Sequence, residues 1–179
     1  MKKSLRTALA ISIPSVIIAV GVVSALFAGP TPEPTIANTK AGACESNGVT
    51  LVVDFGEASD LDPLVKCASE FSGTGWDIFE ATQTEVEGTA KYASAFVCRV
   101  AGYPAVEVQD CADTPTYDEG TWVYYFATAD APDLWLLSAA GSAQRSPECG
   151  SYEGWVFTTP ETPDAHKLPS VKPAASSCD

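Results

Sequence analysis

Residues 47–55 read Asn-Gly-Val-Thr-Leu-Val-Val-Asp-Phe. Asn47-Gly48 is turn chemistry, because both residue types tolerate the backbone that a tight reversal needs. After it, Val49, Leu51, Val53 and Phe55 alternate with Thr50, Val52 and Asp54. A period of two marks a strand with one face buried. The same pattern recurs where Phe96, Cys98 and Val100 alternate with Val97 and Arg99. It recurs again in Trp122-Val123-Tyr124-Tyr125-Phe126, which is dense in residues that favour strands. Leu134–Leu137 and Trp155–Phe157 are shorter candidates. One helix is expected after Thr74, with Asp77 three residues on in the capping-box position and Trp76, Phe79, Ile78 and Thr82 toward the sheet. Residues 60–71 stay open between a helix begun by Asp62-Pro63 and a short strand Leu64–Ala68 paired with the first. These elements make a small α+β domain: a mixed or antiparallel sheet with one packed helix.

The 179 residues suffice for one domain, and 46% hydrophobic content supports a real core. Formal charge is -13; removing the three cations Lys2, Lys3 and Arg6, which no acid accompanies in residues 1–28, takes it to -16. A body so acidic repels nucleic-acid phosphates, which argues against a nucleic-acid partner. The three cations precede the uncharged run Ala8–Ala28, the signature of export. Positive charge stays inside, so the rest of the chain is expected on the outer face of the cell envelope. The run is long enough to span a bilayer, about 20 residues, which favours an anchor. Val23-Ser24-Ala25 offers a cleavage site and Pro14 weakens a continuous helix, so a cleaved signal peptide stays open. Ala41-Gly42-Ala43 before Cys44 loosely resembles a lipoprotein site but lies well past the apolar run.

Residues 29–43 are Pro-rich and polar, an expected linker, and residues 158–179 form a similar Pro-rich tail. The folded part is therefore expected over 44–157. Six cysteines, Cys44, Cys67, Cys98, Cys111, Cys149 and Cys178, in an exported chain read as three disulfides. Fifteen pairings exist in principle. Cys98–Cys111 is favoured because the two flank a turn-rich segment; Cys44–Cys67 would tie the linker to the second element, and Cys149–Cys178 would fasten the tail. No C-x-x-C or Cys/His cluster suggests a metal, and no cofactor is expected.

Catalytic chemistry is hard to find. The one histidine, His166, lies in the Pro-rich tail, away from any evident nucleophile. Asp60 and Asp62 start like a calcium loop that is never completed, and Gly73-Thr74-Gly75 is more simply a turn than an anion site. Paired carboxylates of a hydrolase are conceivable, but spacing cannot reveal them. The aromatics are more telling. Trp122, Tyr124 and Phe126 project to one face and Val123 and Tyr125 to the other. Either one face is core and a loop covers the other, or Tyr125, Trp122 and Tyr103 border a ligand groove. The expected contact residues are Tyr103, Trp122, Tyr124 and Tyr125.

The strand at 48–55, the segment Gly75–Thr82, the strand at 96–102, Gly120-Thr121-Trp122-Val123-Tyr124 and the closing Gly154-Trp155-Val156-Phe157 come in an order that resembles the C-terminal domain of the transcobalamin and intrinsic-factor type. The resemblance covers about residues 48–157 and extends to exported proteins of high-GC Gram-positive bacteria. It implies a β-grasp-like sheet wrapped on one helix. Cobalamin binding does not carry over: the vitamin carriers close their cleft with a large helical domain for which this chain has no room, and Ala127-Thr128 stands where Asn-Gly often follows the aromatic strand. The resulting expectation is a non-enzymatic extracellular module that presents a small ligand or docks to a transporter or envelope partner. A structural or adhesion domain with protein partners only is the alternative, and an envelope hydrolase the third.

Overall fold

Every residue of the strand Gly48–Val53 is buried, Thr50 included, so the apolar alternation seen in the sequence marks one of two covered faces. The computed structural model describes residues 39–179; the cationic start and the apolar run to Ala28 lie outside the described residues. Within them the strands are β1 (Thr39–Ala41), β2 (Gly48–Asp54), β3 (Leu64–Ser69), β4 (Val86–Thr89), β5 (Tyr92–Val100), β6 (Thr121–Thr128), β7 (Ala131–Leu137) and β8 (Tyr152–Thr158), with one short helix, α1 (Ile78–Ala81). The class is α+β. Six strands form one sheet in the order β1-β3-β2-β8-β6-β7, and β4 and β5 form a separate hairpin. β2 and β8 are parallel at the centre, with Val53 opposite Trp155, while the other pairs are antiparallel.

The open choice at residues 60–71 resolves as strand. β3 runs antiparallel to β2 with Val49 opposite Ala68 and Val53 opposite Leu64. The residues taken for the end of a linker, Thr39–Ala41, instead pair with the other side of β3, and Thr39 Oγ1 donates to Ala81 O at 2.7 Å. Without β1, β3 would present a bare row of backbone donors and acceptors. Thr74 and Asp77 make the expected reciprocal cap: Thr74 N–H donates to Asp77 Oδ2 at 2.8 Å and Asp77 N–H to Thr74 Oγ1 at 3.3 Å. This caps a turn just before α1, and with Asp77 already bonded to it the Gly73–Gly75 segment is a capped turn.

The inner face of the sheet packs on α1 and the β4–β5 hairpin. Val49, Leu51, Val53, Phe55, Ile78, Phe79, Val97, Val100, Trp155 and Phe157 are its core. Burying each such side chain contributes about 1.5–3 kcal/mol. A second, smaller core of Val52, Ala127 and Tyr152 lies on the outer face, with Val65, Trp135 and Val171 packed against it. Val171 belongs to the Pro-rich segment 158–179. That segment returns across the outer face: the Trp135 indole N–H donates to Val171 O at 2.9 Å, and the Ser170 N–H to Asp54 Oδ2 at 2.8 Å. The expected Pro-rich tail is thus a cover for the sheet. It contributes the apolar surface that a two-sided strand such as β8 requires, and all seven β8 residues are buried.

Three disulfides hold these parts: Cys44–Cys67, Cys98–Cys111 and Cys149–Cys178. The first ties the entry of the domain to β3, and the third fixes the returning segment. The second closes the loop after β5, which Arg99 also stitches by donating from Nε to Pro104 O at 2.7 Å and from its terminal nitrogens to Glu87 and to Gln109 O.

Candidate functional site

The four aromatic residues expected to meet a ligand fall into three separate environments. Trp122 is on the inner face of β6, and its indole N–H donates to Cys98 O at 3.1 Å. Its ring lies edge-on to Phe55 at 6.0 Å, Phe157 at 5.4 Å and Tyr103 at 6.3 Å. Tyr103, delivered by the Cys98–Cys111 loop, closes this aromatic cluster from above, 5.2 Å from Phe157. Tyr125 points to the outer face and is buried, and that burial raises its phenol above the usual value. Trp122 and Tyr125 are buried, and Tyr103 and Tyr124 are half-buried against the inner core.

Tyr124 has a different task. It stacks on Trp155 at 4.5 Å, and its hydroxyl donates to Glu153 Oε2. Glu153 stands on central strand β8 with no exposed surface. Arg145 Nε donates to its other oxygen at 3.1 Å, and the guanidinium carbon sits 3.8 Å from the centre of the Phe126 ring. Burial drives the Glu153 carboxyl up to about 7, outweighing the Tyr124 hydrogen bond and the Arg145 charge, which both pull it down. The Tyr124 phenol is held well above its ordinary range, first by burial and then by the adjacent carboxylate. Arg145 comes from the segment linking β7 to β8, and its carbonyl accepts from Gly75 N–H at 2.8 Å. A Cβ on Gly75 would lie 2.4 Å from the Tyr124 hydroxyl, so glycine alone allows this approach. The triad clamps two loops to the sheet. No periodic signal pointed to it, since a lone Glu between Tyr152 and Gly154 reads as a surface residue.

An accessible concavity lies elsewhere, on the outer face. A cleft of about 680 Å³ lies between β7, the β2–β3 connection and the returning C-terminal segment. Asp54, Glu57, Leu61 and Pro63 line one wall, Asp133, Leu134 and Trp135 a second, and His166, Leu168, Ser170 and Lys172 a third. Leu61, Leu134 and Leu168 are exposed, at 52%, 53% and 47%, a heavy apolar load for a surface. His166 Nδ1 lies 3.4 Å from Glu57 Oε1, and both are about half exposed. The solitary histidine is therefore a wall of the cleft. None of Tyr103, Trp122, Tyr124 and Tyr125 lines it. Leu61, Leu168 and His166 lie in connections without periodicity, so only the fold brings them together.

Among the described residues no helix is long and apolar enough to cross a membrane, and no group of three or more His, Cys, Asp or Glu side chains is placed to hold a metal ion. No family model, curated protein or solved structure matches the chain.

Proposed function

We propose that this chain is an exported, non-enzymatic binding domain that takes its ligand in the outer-face cleft. The observation that carries this reading is the cleft itself: a concavity of about 680 Å³ that combines three exposed leucines with Asp54, Glu57, Asp133 and Lys172. Its size falls in the range of ligand sites. Export is supported by the cationic, then apolar, first 28 residues and by three disulfides, which persist in oxidising surroundings. The β-grasp-like reading is supported by the parallel pairing of β2 and β8 at the centre of the six-stranded mixed sheet, which packs on one short helix. The resemblance to the transcobalamin type rests on the quoted sequence motifs alone. None of the expected aromatic contacts Tyr103, Trp122, Tyr124 and Tyr125 lines the cleft, and the proposal takes the cleft in their place.

The test is a thermal-shift screen of the oxidised full chain against corrinoids, other cofactors and envelope sugars, repeated with Leu168→Asp. A ligand at 100 times its Kd adds about 2.7 kcal/mol, a shift of roughly 5–10 °C in a domain of this size. A hit abolished by Leu168→Asp, with an unchanged midpoint in the absence of ligand, establishes the cleft as the site. A hit indifferent to Leu168→Asp moves the site elsewhere. No hit for any compound favours a domain with protein partners only.

A further inference from the structure

The cleft has one wall that differs in kind from the others. β7 is the last strand of the sheet and, among the described residues, pairs only with β6. Its far side is a row of unpaired backbone groups. Ser138 N–H is turned inward, onto Tyr124 O at 3.0 Å, and Phe126 is opposite Leu136. Alternation along an antiparallel strand then turns the N–H groups of Leu137 and Trp135 toward the open edge, and the register shift between Phe126 and Thr128 interrupts it before Asp133. Natural edges are usually blunted by charge, proline or a covering loop. Here Pro132, Asp133 and a register shift in the pairing with β6 blunt one end only, and beyond them Leu134, Leu136 and Leu137 are exposed, Leu137 at 65%. Exposed leucines along an open strand make a template for another strand.

Charge selects the occupant. The body carries -16 once the first 28 residues are set aside, which opposes edge-to-edge pairing of two copies. In the cleft beside the edge, Asp54, Glu57 and Asp133 face a single lysine, Lys172, and His166. We infer that β7 and the adjoining cleft bind an extended, basic segment of another polypeptide by strand addition. Its backbone continues the sheet along Trp135–Leu137. Its side chains alternate, one set falling beside Trp135 at the cleft mouth, near Asp133, the other beside Leu136. A segment with a lysine or arginine near Asp133 and an aliphatic residue opposite Leu136 fits both. This inference rests on the cleft being a binding site and names the class of ligand it takes.

The experiment uses the oxidised full chain, ¹⁵N-labelled, in nanodiscs of neutral lipid. The probes are a ten-residue peptide alternating lysine and leucine, its glutamate–leucine counterpart, and the lysine peptide N-methylated at alternate residues. Addition to the edge predicts that the lysine peptide slows exchange of the Trp135 and Leu137 amides at least tenfold, while the acidic and N-methylated peptides do not. Asp133→Lys and Leu137→Pro each lower affinity for it at least tenfold; the first adds a repulsive charge, the second removes an outward N–H. If Leu137→Pro fails to fold, the N-methylated peptide carries the same test. If the N-methylated peptide binds as well as its parent, strand addition is wrong and the cleft reading stands. If no peptide binds but a small molecule does so through Leu168, the peptide inference falls alone. If nothing binds the cleft, both fall. Protection of the Trp135 and Leu137 amides without peptide, growing with protein concentration, assigns the edge to a second copy and overturns the inference.

Discussion

The protein should become more stable as the solution is made mildly acidic, and Glu153 is the reason. Its carboxyl moves from an ordinary 4.5 to about 7 on folding because the strand carries it out of water. Between these values the folded protein holds a proton that the unfolded chain has released. Stability therefore rises as pH falls through about 7 and levels off below 4.5. At 1.36 kcal/mol per pH unit the full swing is on the order of 3 kcal/mol. The direction is opposite to that of a carboxylate held by a surface ion pair. Asp164, which Lys167 holds below its ordinary 3.8, acts in that opposite sense but only at lower pH. Glu153→Gln mimics the protonated state, retains the side-chain volume and removes the titration. Urea unfolding of the oxidised protein and of this variant, at pH 5 and at pH 8, isolates the effect. The wild type should lose on the order of 3 kcal/mol more than the variant between pH 5 and pH 8, and at pH 8 the variant should be the more stable protein. Identical pH dependence in the two proteins would refute the reasoning, because it would mean that Arg145 compensates the buried charge in full.

Tyr124→Phe removes a donor from the same carboxyl. It should cost about 1–3 kcal/mol at pH 8 and push the Glu153 titration higher still, seen by carbon NMR of labelled glutamate. Gly154→Ala places a methyl 2.8 Å from the Trp135 ring and 3.1 Å from Pro169. Overpacking of that kind should cost about 1–3 kcal/mol in urea unfolding and shift the Trp135 indole resonance. Replacing Cys149 and Cys178 together by Ala opens a loop of separation 29, which the chain-entropy estimate values at about 3.6 kcal/mol, with a matching fall in the unfolding midpoint.

The sheet was legible where a strand has one apolar set. Val49, Leu51, Val53 and Phe55 announced β2, and Trp122 to Phe126 announced β6. The Cys98–Cys111 pair was legible because the two cysteines flank a short turn-rich segment, and the other two pairs as ties of the entry and of the tail to the domain. β8 was seen only as Trp155–Phe157, although it begins at Tyr152. A strand covered on both faces loses its alternation, and Glu153 and Gly154 hide it further. The same cause hid the cleft. Pro-rich composition lowers the density of apolar residues, so the last 22 positions looked like solvated chain; Val171 and Pro169 need only the Trp135 ring and the Gly154 backbone to settle on. With that cover in place the aromatic strand has no bare face, and the concavity forms at the cover's margin, from residues that no periodic pattern connects.

The disulfide map has a consequence for a domain exposed to proteases. Two walls of the cleft are irregular connections, the cleavable kind of backbone. The connection holding Glu57, Leu61 and Pro63 lies inside the ring closed by Cys44–Cys67, and the segment holding His166, Leu168 and Lys172 inside the ring closed by Cys149–Cys178. A cut in either wall releases no fragment: both new ends stay covalently tethered beside the cleft. Nicked and intact molecules would run with nearly the same mass until a reductant separates them, so the protein is built to outlast its own first breaks.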